Sequence, residues 1–197
     1  MGNIGYWTIS EAGFIEDAKS YAVQSRAEIE SVPPRLRLYR FNETILTLTF
    51  PPLAQDQTRI HQMKMAEFIA ACVPSTGATF IIDSDIEVTN ALGEEVTMNA
   101  MFLMFASDQG CSAAAYPYSI HPEVEGLIWQ DDNSITSSDI ISSQPNLVDF
   151  AANLFFIPSG IVVWKYYFQY LEANGFKIEW TPPFDINYVS LLTRETL

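Results

Sequence analysis

Three extended runs in close succession, Ala78 to Val88, Val96 to Ser107 and Ser112 to Ile120, leave this chain little choice of architecture. The last two flank a turn at Asp108-Gln109-Gly110, and a connection that short can only reverse the chain, so the pair is antiparallel. Gly126 to Gln130 offers a further short strand to the same meander. Pro117 cannot donate to a ladder, which marks the arm from Ser112 to Ile120 as an edge strand.

The flanks supply helices. Ser10 is placed to cap a helix running to about Glu30, on which Phe14, Ala18, Tyr21, Ala22 and Ile29 recur near helical spacing before Pro33-Pro34 closes it. Arg35 to Phe41 and Thr44 to Phe50 then alternate around Asn42-Glu43 as a hairpin, which Pro51-Pro52 stops. Asp56 caps a second helix that Pro74 ends, with His61, Met65, Phe68 and Cys72 on one face and Ile69 beside them as the expected core side. Asp131 to Gln144 is a polar connector, so a weak lobe boundary falls within 131–145, and Pro145 suits the first turn of a helix through about Leu154. Periodicity does not decide the structure of 155–171; Asn174-Gly175 then stops a helix before a short strand, Phe176 to Trp180. The expectation is a single α+β domain over 1–197, mostly antiparallel sheet (a hairpin plus a central β meander), with helices packed on one face.

Composition sets the class of environment. At 197 residues and 48% hydrophobic the chain can bury a substantial core and is too apolar for a disordered acidic tail. Cys72 and Cys111 sit in apolar surroundings and read as buried thiols in a reducing compartment. The first residues lack the charged and apolar blocks of a secretory signal. The greasiest stretch, Ala151 to Trp164, is interrupted by Asn153, Pro158, Ser159 and Gly160, well short of the roughly 20 apolar residues that span a bilayer. A soluble, cytoplasmic protein is expected.

Charge restricts the partners. From Met65 to Trp164, a hundred residues hold thirteen aspartates and glutamates but no lysine or arginine; the ten bases lie outside, and the net charge is -14. Nucleic acid, phosphate-rich substrates and anionic membranes recruit cationic side chains, so this span is not expected to bind them.

Within it, Asp83, Asp85 and Glu87 fall on one face of the expected strand, while Phe80, Ile82, Ile86 and Val88 line the other. This comb of carboxylates is either a solvated, partner-binding face or half of a divalent-cation site, since neighbours roughly 7 Å apart can be bridged by Mg²⁺ or Ca²⁺. Phosphoryl chemistry at such a site usually adds a basic or glycine-rich cradle, and the neighbouring sequence has none. Ser119-Ile120-His121-Pro122, followed by Thr136-Ser137-Ser138-Asp139, faintly resembles the metal motif of JAB/MPN-type isopeptidases. Ser119 stands where that motif has a histidine and Thr136 where it has a serine; His121 and Asp139 alone leave zinc short of ligands. No nucleophile elbow, dinucleotide fingerprint or phosphate loop occurs. Arg35, Arg37 and Arg40 form the one basic cluster, which can either receive an anion or pair with the protein's own carboxylates. The aromatic run Trp164, Tyr166, Tyr167, Phe168, Tyr170 suits a core or the centre of a homo-oligomer interface.

These features point to an acidic, non-enzymatic accessory, regulatory or inhibitory protein that needs no cofactor. Asp83, Asp85 and Glu87 would meet a basic protein surface, with a homodimer as a further possibility. The alternative is a divalent-metal-dependent hydrolase or transferase built on Asp83 and Asp85, with His121 as a further ligand.

Overall fold

The computed structural model describes residues 11–41, 43–52, 59–89, 94–107, 110–120, 126–130 and 164–188. Helix α1 (Glu11–Ile29) leads into the hairpin β1 (Arg35–Arg40) and β2 (Glu43–Thr49). Helix α2 (Arg59–Cys72) follows, then the meander β3 (Gly77–Thr89), β4 (Glu95–Ser107), β5 (Gly110–Ile120) and β6 (Leu127–Trp129). Helix α3 (Trp164–Ala173) and strand β7 (Lys177–Trp180) complete the described elements. All seven strands join one antiparallel sheet in the order β6-β5-β4-β3-β1-β2-β7. The α+β class and the antiparallel hairpin and meander are as the sequence implies. The polar connector 131–145, the helix expected from Pro145 and the interrupted run before Trp164 lie outside the described residues.

Side-chain alternation divides the interior into two layers. On one face Leu36, Leu38, Leu46, Leu48, Phe80, Phe102 and Met104 pack under Ala66, Ile69 and Ala70 of α2 and under Phe168 and Leu171 of α3. On the other, Tyr39, Ile81, Met101, Leu103 and Tyr118 lie beneath Phe14, Ala18 and Ala22 of α1. Helices therefore cover both faces of the sheet, not one as expected. The reason is legible in β4, where Ala100 through Met104 are buried without a break. A strand with a single wet face alternates; one enclosed on both sides reads as a continuous apolar run.

Several local departures share a cause in packing. Helix α2 buries Gln62, Ala66, Ile69, Ala70 and Cys72, whereas His61 and Phe68 are exposed. The core side is carried by Gln62, Ala66, Ile69 and Ala70, which turns the expected His61–Phe68 side away from the core. Ile29, expected on the buried side of α1, is exposed in its last turn. Cys72 is buried as expected, but Cys111 near the start of β5 is exposed. Strand β5 is an edge over only part of its length: among the described residues Gly110 to Tyr116 have no strand on their outer side, but β6 pairs with Tyr118 to Ile120 and Gln130 N donates to the Pro117 carbonyl at 2.9 Å. The proline sits where that short neighbour ends, so its missing N–H costs the ladder little.

Two turns carry the geometry that fixes the ends. The β1–β2 register slips between Leu38 and Tyr39, a bulge that leaves Ile45 fully buried in the core. Helix α3 ends with Phe176 N on the Leu171 carbonyl and Gly175 N on the Glu172 carbonyl, both 3.1 Å, with Gly175 at φ 86°. That is the helix stop expected at Asn174-Gly175, and it sends the chain into β7 beside β2.

Candidate functional site: the acidic end of the β3–β4 ribbon

Strand β3 pairs with β1 only through Ile81, and β4 pairs with β5 only from Asn99 onward. Among the described residues, β3 beyond Ile81 therefore pairs with β4 alone, and past Asp85 and Asn99 the two strands run on as a two-stranded ribbon, Ile86 to Thr89 against Glu95 to Met98. Cross-strand partners share a face. Asp83 faces Met101, Asp85 faces Asn99, Glu87 faces Thr97, and Thr89 faces Glu95. The parity that places Ile82 and Ile86 in the main core puts Asp83, Asp85 and Glu87 together on the α1 side of the sheet. Asp85, Glu87, Glu94 and Glu95 are exposed.

Asp83 differs from the rest of the comb. It is half-buried, and the Tyr118 hydroxyl donates to its Oδ1 at 2.7 Å, reaching over β4 from β5. Tyr118 is 1% exposed, with its ring edge-on to Trp129 at 5.6 Å. Burial pushes the Asp83 carboxyl above its ordinary range; the Tyr118 hydrogen bond, Arg59 and Arg26 pull the other way, and Asp85 adds to the rise. Burial, then the bond to Asp83 and its charge, push the Tyr118 phenol well above the usual tyrosine value. Asp83 is thus an internal anchor, while Asp85 and Glu87 present their charge to solvent. The partner of Asp83 can be found from the sequence by counting register: with Ser107 paired to Gly110, Tyr118 falls opposite Asn99, diagonal to Asp83.

A divalent cation asks for six or more oxygen ligands. Among the described residues no group of three or more His, Cys, Asp or Glu comes together, and one Asp83 oxygen is already engaged by Tyr118. His121 and Asp139 lie outside the described residues. The basic cluster is split: Arg35 and Arg37 both pair with Asp17 of α1, and the Arg40 guanidinium lies 5.6 Å over the Tyr188 ring. Arg40, Phe41, Glu43, Pro183 and Phe184 line an open cleft of about 480 Å³ beside it. The aromatic run divides as well, with Phe168 buried, Tyr167 edge-on to Phe68 at 5.2 Å, and Tyr166 and Tyr170 exposed. No described helix is long and apolar enough to cross a membrane. No protein-family model, characterised protein or solved structure matches this chain.

Proposed function

We propose that this is a non-enzymatic accessory, regulatory or inhibitory protein that docks a basic protein surface against the acidic face of its β3–β4 ribbon. The observation that carries the reading is the exposure of Asp85, Glu87, Glu94 and Glu95 on a ribbon within the hundred residues that contain no lysine or arginine. Carboxylates gathered on an exposed face raise the local negative potential, steer a cationic partner in and penalise an anionic one. Asp83 shares this face and ties β3 to β5 through Tyr118. The unbonded state of Cys72 and Cys111 fits a reducing, cytoplasmic setting.

The test is capture of a lysine-rich peptide by the full chain across a salt series, in wild type and in Asp85→Asn/Glu87→Gln. Binding should weaken as salt rises and weaken further in the variant, because screened surface charges act over about one Debye length, near 8 Å at physiological salt. Capture indifferent to both salt and substitution would overturn the reading. So would tight binding of nucleic acid through residues of the cation-free span.

Self-association through α3 is part of the same proposal, supported by Tyr166 and Tyr170, 74% and 60% exposed on one side of that helix. Sedimentation of wild type and Tyr166→Ser/Tyr170→Ser tests it. A dimer that dissociates only in the variant is expected, and a wild type monomeric at every concentration refutes it.

A further inference from the structure

Between α1 and the centre of the sheet, two guanidinium groups share one carboxylate oxygen. Arg35 Nη2 and Arg37 Nη1 both donate to Asp17 Oδ2, at 2.5 and 2.6 Å. The Arg35 side chain is 5% exposed, Arg37 25% and Asp17 39%, so the cluster is sealed at Arg35 and opens toward solvent at Asp17. Two cations against one anion leave a surplus positive charge inside a protein whose net charge is -14.

The surplus is visible atom by atom. Arg35 Nε and Arg37 Nε are buried and meet no acceptor among the described residues. Buried charged donors are normally paired throughout, and an orphan marks a place where something else belongs. Nearby polar groups do not fill the role. The Tyr21 ring stacks on the Arg35 guanidinium at 4.0 Å, but its hydroxyl donates to the Pro33 carbonyl. Burial and the neighbouring Arg37 push the Arg35 guanidinium below its ordinary value despite Asp17.

We propose that the Arg35–Arg37 pair is a binding site for a compact oxyanion, a phosphate or a carboxylate, which enters beside Asp17 and supplies the missing negative charge. Guanidinium forks match the paired oxygens of both groups. Thr79, buried directly across from Arg37 and in hydrogen-bond contact with the Tyr39 hydroxyl at 3.1 Å, adds a hydroxyl to the same face. Asp17 acts as the internal competitor: it holds α1 to the sheet, and its charge opposes an incoming anion. Its charged residues, Asp17, Arg35 and Arg37, precede Met65, and the site is separate from the acidic ribbon.

Inorganic phosphate, sodium acetate and, at matched ionic strength, sodium chloride are titrated into wild type, Arg37→Gln and Asp17→Asn by calorimetry, with thermal unfolding alongside. Wild type should show one saturable site for phosphate or acetate beyond the chloride response, the preferred anion telling tetrahedral from planar ligands. Arg37→Gln should weaken it about tenfold or more, and Asp17→Asn should tighten it by a similar factor, because a like charge within a few ångströms is gone. Should Arg37→Gln fail to fold, Asp17→Asn still decides. Responses indistinguishable from chloride in both wild type and Asp17→Asn, binding retained in Arg37→Gln, or no tightening in Asp17→Asn would each overturn the proposal.

Discussion

Replacing Tyr118 with Phe removes one hydroxyl and leaves the ring in its place edge-on to Trp129. In the native protein that hydroxyl donates to Asp83 Oδ1 at 2.7 Å. Where Asp83 is ionised, the variant loses a hydrogen bond to a charged, half-buried acceptor, a loss of about 1.5–3 kcal/mol. The cost depends on pH, and its sign follows from the direction of the Asp83 shift. Burial raises the folded-state value, so the Asp83 contribution is fully present below the unfolded-state value, about 3.9, and is lost as pH rises through the folded value. Tyr118 opposes that rise. Without it the folded value moves higher, the loss of stability extends to higher pH, and the gap between wild type and variant widens from acid to neutral. Below the titration Asp83 is a neutral acid, and the gap shrinks toward the roughly 0.5–1.5 kcal/mol of an uncharged bond. Urea unfolding of both proteins between about pH 4 and 8 reads the gap, and carbon-13 shifts of the Asp83 carboxyl read the titration itself. A gap independent of pH, or an Asp83 titration that stays put or moves down in the variant, would refute the reasoning. The cycle with Asp83→Asn isolates the pairwise coupling from any repacking around the ring.

Three further outcomes are expected. Phe168→Ala, which empties a fully buried site 5.4 Å edge-on from Trp180, should cost about 3–5 kcal/mol in urea unfolding. Gly175→Ala should cost about 1–2 kcal/mol from backbone strain alone, since φ is 86° while an added Cβ would meet only Pro51 Cβ at an ordinary 3.5 Å; an unchanged melting temperature would contradict that. In the native protein near neutral pH a maleimide should label Cys111 and spare Cys72, whose thiol burial pushes up to about 12, with both reacting once the chain is unfolded in urea; rapid labelling of Cys72 would place it outside the core.

The sheet was largely readable because its information is local. Alternation places the strands, and the pairing of Ser107 with Gly110 fixes the β4–β5 register, so Met101 meets Tyr116 and Asn99 meets Tyr118. What escaped depends on contacts between distant segments. That β1 inserts between β2 and β3 is a choice among edges that no single strand encodes. Which side of α2 is buried, Gln62, Ala66, Ile69 and Ala70 and not His61 and Phe68, is settled only once the sheet is beside it. The coverage of both faces was the exception, since the unbroken burial of Ala100 through Met104 has a plain sequence signature.

The charged residues follow the same division. Parity along β3 suffices to align Asp83, Asp85 and Glu87, but it cannot separate them, because their difference is made by Tyr118, thirty-five residues later in the chain. In the same way the sequence groups Arg35, Arg37 and Arg40 as one cluster, and Asp17 divides it by reaching across from α1. In both cases one distant side chain decides which charges of a local group are internal ties and which are left to act outward. The outward set is acidic on the ribbon beyond Ile81. The inward set is over-cationic beneath α1, so the unbalanced charges of opposite sign occupy separate places on one face of the same sheet.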